Sequence, residues 1–264
     1  MNAMNATKYT IAKAFGAAAE QYDKQACIQK LIAKEALQRA RNLMRQVTPQ
    51  NCLDIGCGTG SATVDLRSET ANLTGIDIAP GMVKYAMRQH GLSDINWMVG
   101  DAEELPVSDN SVDFLYSCMA LQWLDSADAF AQECARVLSD KGQGFLAILT
   151  AGSLFELADT WQELNIPPTV NRFLGSDQWR NALLHHNIEV SIDEKRYVDW
   201  HPNLFGVLHS IKDVGAGVNT ESKSLRLTRG QLRQLESTYR HRFGGERGLP
   251  LTYRVSLIHM EKGK

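Results

Sequence analysis

Three acids and three glycines are the residues whose types and spacing suit chemistry. Asp54-Ile55-Gly56-Cys57-Gly58-Thr59-Gly60 sets glycines at every second position behind an acid. Asp77 and Asp101 follow, closing Leu73-Thr74-Gly75-Ile76 and, after Gly100, Ile95-Asn96-Trp97-Met98-Val99. Glycine permits positive φ and lacks the Cβ that would hold a ligand off the backbone. A strand, a glycine loop and a helix in that order make a nucleotide-binding corner. The dinucleotide fingerprint is G-x-G-x-x-G. From Gly56 this chain reads G-x-G-x-G-x, with Ser61 in the third glycine's place. That spacing argues for a nucleoside ligand and against NAD or FAD. No P-loop pattern is present, which argues against ATP phosphates.

The elements that must position these residues follow from periodicity. Residues 10–46 read as helical, 51–55 as a strand, and the stretch after the glycine loop as a helix to about 68. Strands are expected at 73–77, 95–99, 112–118 and 145–149, with a turn at 141–144. Helices are expected at 80–90, with Pro80 in a first turn where its missing N–H is harmless, and at 127–138, where Phe130, Ala131, Cys134, Val137 and Leu138 recur at helical spacing. This alternation implies an α/β fold with a doubly wound, mostly parallel, Rossmann-like sheet. Right-handed crossovers bring the carboxyl ends of the strands to one edge, so Asp54, Asp77 and Asp101 converge there. Beyond residue 150 the pattern loosens, with helices at 153–164, 176–185, 203–214 and 228–243 and strands at 189–200 and 251–260. The expected organisation is an N-terminal helical segment over the site (1–46), a nucleotide-binding core (47–150), a cap insertion (151–187), a core strand (188–201), a basic helical cap (202–248) and a closing strand (249–264).

Composition narrows the class. At 264 residues, 44% hydrophobic and 22% charged, the chain is an ordinary globular protein of one large domain with inserted caps. Cysteines 27, 52, 57, 118 and 134 are scattered and form no C-x-x-C, which argues against a disulfide framework or a zinc site. No apolar leader and no run of the ~20 residues that span a membrane is seen, so a cytoplasmic enzyme is expected. Net charge is −2, which gives no global reason to bind nucleic acid. Residues 221–247 are an exception to that balance. They hold seven cations (Lys223, Arg226, Arg229, Arg233, Arg240, Arg242 and Arg247) against three acids, a local +4.

The strand–Asp-x-Gly-x-Gly-x-Gly–helix unit, Asp77, Gly100-Asp101-Ala102 and the Arg136–Gly142 segment together resemble class I S-adenosylmethionine-dependent methyltransferases over roughly residues 50–150. A Pro often precedes the glycines of that last segment; here Asp140-Lys141 stands instead. A narrower resemblance covers nearly the whole chain. Ala14 to Asp23, Met119-Ala120-Leu121-Gln122-Trp123, Asn171-Arg172-Phe173-Leu174, His209 to Lys212 and Pro250-Leu251-Thr252-Tyr253 resemble motifs of the malonyl-acyl carrier protein O-methyltransferases of biotin synthesis. Cys118 departs from that family, whose members usually place Asn there.

The resemblance implies S-adenosylmethionine as methyl donor and a role for each position. Amides of the loop at Gly56, Gly58 and Gly60 would receive the cofactor's carboxylate at a helix N-terminus. Asp54 would face its ammonium, or serve as a turn acid. Asp77 would accept both ribose hydroxyls, or cap the helix at Pro80. Asp101 would accept the adenine amino group beside Ala102, or be a solvated turn acid. Ile78 and Met82 would sandwich the adenine or pack as core. Tyr22 and Phe15 would offer aromatic faces to the sulfonium or anchor their helix, and Trp123 would line the acceptor side or pack in the core. Tyr22 and Trp123 count as positioning groups, since a carboxylate ionised near pH ~4 needs no general base. Arg172 and Lys212 would recruit the substrate, or be surface cations whose aliphatic stems pack on the cap. Arg229, Arg233 and Arg240 lie along one side of a helix whose neighbouring stripe is Leu232, Leu235, Tyr239 and Phe243, and would meet an acidic carrier protein or form an ordinary solvated face. The expected activity is methylation of the free carboxylate of a malonyl thioester on acyl carrier protein. Rival readings are a methyltransferase of small free acids of the trans-aconitate type, a non-catalytic cofactor sensor and a nucleotide-linked dehydrogenase.

Overall fold

A computed structural model describes residues 6–25, 27–91, 94–166, 173–213 and 227–263. The chain opens with helices α1 (Ala6–Gln25) and α2 (Cys27–Val47), so the helical stretch expected over 10–46 is two helices. In α2, Ile28, Ile32, Ala36, Ala40 and Met44 recur every fourth residue and are all buried. The core then alternates β1 (Asn51–Ile55), α3 (Ser61–Leu66), β2 (Asn72–Asp77), α4 (Pro80–His90), β3 (Asn96–Val99), β4 (Val112–Cys118), α5 (Ala127–Val137) and β5 (Leu138–Leu149). Helices α6 (Phe155–Glu163) and α7 (Ser176–His185), strand β6 (Ile188–His201), helices α8 (Leu204–Asp213) and α9 (Arg229–Phe243) and strand β7 (Leu249–Lys262) complete it.

The seven strands form one sheet in the order β3-β2-β1-β4-β5-β7-β6. The pairings from β3 through β5 are parallel. β7 lies antiparallel to both β5 and β6. From β1 the chain winds outward to β2 and β3, then crosses back to β4. The switch point therefore lies at the carboxyl ends of β1 and β4, where open α/β sheets bind ligands.

Successive strand residues point to opposite faces, and the sheet has a core on each. Cys52, Phe114, Phe145 and Ala147 pack with α2 on one face. Leu53, Leu115, Leu146 and Ile148 pack with Phe130 of α5 and Trp179 and Leu183 of α7 on the other.

Two local expectations fail. The turn expected at 141–144 lies within β5: Val112 faces Leu138 and Phe114 faces Gln143, so the intervening residues form an irregularity in a continuous strand. Lys141 takes φ 62° there. Leu232, expected on the inward stripe of α9, is 36% exposed, while Leu235 and Tyr239 of that stripe are buried. No helix among the described residues is long and apolar enough to cross a membrane.

Candidate functional site

A cavity of about 540 Å³ opens over the carboxyl ends of the parallel strands, a size suited to a small-molecule ligand. Its wall includes the glycine loop, Asp54, Asp77, Ile78, Met82, Gly100, Asp101, Ala102 and Trp123. The glycine spacing has a steric reason. Gly56 has φ 73°, and a Cβ on it would run into the Ala120 Cβ. Gly60 has φ 84° and caps α3, where a Cβ would come within 2.6 Å of the Trp97 ring.

The loop's amides are not presented as the sequence led us to expect. The Gly56 and Cys57 N–H groups both donate to the Ile76 carbonyl, at 2.7 and 3.0 Å. Gly60 N–H donates to Cys57 O at 2.9 Å, and Gly58 N–H to Asp77 Oδ2 at 3.0 Å. The loop spends these donors on itself, on β2 and on Asp77. The amides left for a ligand are those of the first turn of α3, which no intrahelical carbonyl takes up; Ser61 and Ala62 line the cavity.

Each acid is held differently. Asp77 receives Gly58 N–H on Oδ2 and Ala79 N–H on Oδ1 at 2.8 Å. Two backbone bonds thus fix the carboxylate, and each oxygen keeps acceptor capacity. The turn role and a ligand role coexist in one side chain. Burial raises its pKa against those two bonds. Asp54 is 2% exposed and accepts the Thr63 hydroxyl at 2.6 Å. Among the described residues no cation pairs with it. Burial, with the Asp77 charge adding, pushes it up to about 7. A buried carboxyl that lines a cavity without a counter-ion is suited to receive a cationic group. Asp101 receives Glu103 N–H on Oδ1 at 3.0 Å.

Sequence reasoning missed the partner of Asp101. Lys8 of α1 donates to Asp101 Oδ2 at 2.6 Å and pairs with Glu103 as well. Burial works against its charge, but the two carboxylates outweigh it and hold the ammonium above the usual lysine value. The pair joins residues 93 positions apart, a distance at which sequence carries no signal.

A second attachment seats α1 beside the cavity. Gly16 meets Gly81 of α4 so closely that a Cβ on Gly81 would lie 2.7 Å from the Gly16 Cα. Ala12 and Ala19 pack there with Ala79 and Met82. Phe15 and Trp123, both in the wall, meet edge to face at 5.5 Å. Cys118 also lines the cavity, and burial pushes its thiol up to about 12, so it stands there neutral. Two further cations missed in the sequence, Lys30 and Lys34 of α2, reach the same wall.

The remaining expected residues either fall outside the described ones or lie away from the cavity. Tyr22 lies in α1 and Lys212 in α8, but their side chains fall outside the described residues, as does Arg172 altogether. Arg229, Arg233 and Arg240 lie exposed on α9 and do not line the cavity. Arg240 donates to Pro202 O at 3.1 Å and to Glu236 at 3.4 Å.

Residues 53–146 match the family model described as a methyltransferase domain. The chain is 34% identical over 253 residues to a malonyl-(acyl-carrier protein) O-methyltransferase of Hahella chejuensis, covering 95% of this chain and 89% of that one. It is 33% identical to the biotin biosynthesis bifunctional protein BioHC of Cellvibrio japonicus, covering 94% of this chain and 49% of that longer one. Among solved structures, the YcgJ protein of Bacillus superposes with TM-score 0.61 at 19% identity, over 86% of this chain and 99% of that one.

Proposed function

The chain belongs to the malonyl-(acyl-carrier protein) O-methyltransferases, and from that membership we propose that it methylates the free carboxylate of a malonyl thioester carried on acyl carrier protein, for biotin synthesis. It is an S-adenosylmethionine-dependent carboxyl methyltransferase. One observation carries the reading: the match to relatives of that name runs nearly the full length of both chains. The same relatives weigh against a free polycarboxylic acid as acceptor.

The cofactor supplies an electrophilic methyl group on a sulfonium. The donor set suits it: Asp54, buried with no counter-ion among the described residues, faces the same cavity as the pre-oriented Asp77 carboxylate. We assign Asp54 to the ammonium, Asp77 to the ribose hydroxyls, and Asp101 with Ala102 to the adenine edge. Ile78 and Met82 flank the ring. The glycines at 56, 58 and 60 let the backbone close on the ligand, while Ser61 and Ala62 amides take the carboxylate.

The acceptor carboxylate is already ionised at neutral pH, its pKa lying near ~4, so no base is needed. The protein's work is to align the oxygen with the methyl group and exclude water. Phe15, Met119, Leu121, Trp123 and Leu124 give the cavity an apolar side for that purpose. Methyl transfer neutralises two opposite charges, so a cation clamped on the reacting oxygen would oppose it. Trp123 and Tyr22 are assigned to positioning, and Arg172 and Lys212 to recruitment of the acceptor. Residues 1–46, 151–187 and 202–248 are assigned as the segments that cover a core of 47–150 and the strands at 188–201 and 249–264. Arg229, Arg233 and Arg240 are assigned to the acidic face of the carrier protein.

The test is labelled methyl transfer from S-adenosylmethionine to malonyl-carrier protein, malonyl-CoA and free polycarboxylates. A base-labile methyl ester forming fastest on the carrier is expected. Equal or faster turnover of a free acid would overturn the reading.

A further inference from the structure

We propose that Lys30 and Lys34 form an anion subsite at the mouth of the cavity that holds the phosphodiester of the acceptor's carrier arm. The proposal rests on the function assigned above and names the part of the acceptor that the cavity wall recognises outside the reacting centre.

Cations divide unequally around this cavity. Lys8, Lys30 and Lys34 are the ones in its wall among the described residues. Lys8 is committed to Asp101 and Glu103. Lys30 and Lys34 are exposed, and neither enters an ion pair with a described residue. Asp65 of α3 shares the wall but is not within ion-pair distance of either lysine. The two lysines stand one helical turn apart, so their ammonium groups lie on one side of α2. Gln29, Ala33 and Leu37 share that lining face. Lys34 also borders a second recess on α2, beside Gln38, Asn42 and the Glu35–Arg39 ion pair.

Two facts choose the anion. The lysines are exposed, so they sit where the cavity meets solvent and not at its buried floor. The reacting carboxylate must lose its charge, so a cation pair fixed on it would hinder the step. An anion that keeps its charge throughout is the suitable guest. A carrier protein offers its acyl thioester on a pantetheine arm joined by a phosphodiester, which carries one permanent charge several bonds from the thioester. Two ammonium groups suit such a point anion. The subsite would let the enzyme read the arm's length: phosphate on α2, carboxylate inside.

The full chain can be assayed with malonyl-pantetheine, which lacks the phosphate, malonyl-phosphopantetheine and malonyl-carrier protein. With Lys30→Ala and Lys34→Ala combined, the wild-type preference in kcat/KM for malonyl-phosphopantetheine over malonyl-pantetheine should fall roughly tenfold, through KM and with kcat held, the size of one charge-assisted hydrogen bond. Lys30→Arg with Lys34→Arg should restore most of it. An equal fall on both acceptors would place the lysines on the carboxylate or in the fold and overturn the proposal. An unchanged preference would overturn it as well. If the wild type methylates no malonyl thioester, the functional assignment itself falls and the subsite with it.

Discussion

Asp54→Asn separates what Asp54 does for the fold from what it does for the ligand. This carboxyl is 2% exposed, and the Thr63 hydroxyl donates a hydrogen bond to it. Burial lifts it from an ordinary 3.8 to about 7. The unfolded chain therefore holds fewer protons than the folded one across that window, and stability falls as pH rises through it. The favourable contribution is complete below 3.8 and gone above about 7. That window spans about three tenfold steps at about 1.4 kcal/mol each, about 4 kcal/mol in all, of which about 3 falls between pH ~5 and pH ~8. Asn keeps an acceptor for Thr63 and has no charge to bury. Urea unfolding of cofactor-free protein should show Asp54→Asn gaining up to about 3 kcal/mol more at pH ~8 than at pH ~5. Calorimetric titration should show the same variant losing S-adenosylmethionine affinity, and wild-type affinity should fall below pH 7 as Asp54 takes up its proton. A stability difference independent of pH would mean that the Asp54 charge is already satisfied, and the argument for an ammonium partner would fail.

Asp77→Ala should weaken cofactor binding by about 1.5–3 kcal/mol, the worth of a hydrogen bond to a charged group, and unchanged calorimetric affinity would remove the ribose assignment. Gly81→Ala should push α1 off α4, because the new Cβ meets the Gly16 backbone at 2.7 Å; an overpacking cost of about 1–3 kcal/mol should appear as faster proteolysis within residues 6–25 and weaker cofactor binding. Arg229→Glu with Arg233→Glu should raise KM for malonyl-carrier protein several-fold, most at low ionic strength, and leave malonyl-CoA kinetics alone; equal effects on both acceptors would make the ridge a solvated surface. Arg240→Glu should add less, since Arg240 already bonds Glu236 and Pro202.

The parallel half of the fold was legible because its signals are local. Val112 to Cys118 is an apolar run bounded by turns, and it forms β4 with those limits. The acids at 54, 77 and 101 were found because strand ends in a doubly wound sheet must share an edge. Legibility stopped where long-range contacts decide. Lys8 looks like a surface lysine until the fold brings Asp101 to it. Lys30 and Lys34 looked like ordinary polar positions of a helix, and the cavity beside α2 gives them a role. The glycine loop's amides read as ligand donors, but β2 and Asp77 take them first. Lys141-Gly142 has turn chemistry, yet pairing of β5 with β4 on both sides of it holds the strand together. Leu232 shows the reverse case: periodicity puts it beside Leu235, but α9 buries a narrower stripe.

The position of β7 bears on the order in which the molecule is made. β6 precedes β7 in the chain, yet it joins the sheet only through β7. β7 pairs with β6 from Leu249 to Lys262 and with β5 from Val255 to Glu261. Helices α6, α8 and α9 also rest on β7. Until residues 249–262 leave the ribosome, β5 has an open edge and β6 has none to join, the state in which strands are prone to pair wrongly. The parallel half that carries Asp54, Asp77 and Asp101 has all its strand pairings by residue 149. Synthesis thus completes the acid-bearing edge of the sheet first and the platform for the later helices last, with β7 closing the sheet between two strands already made.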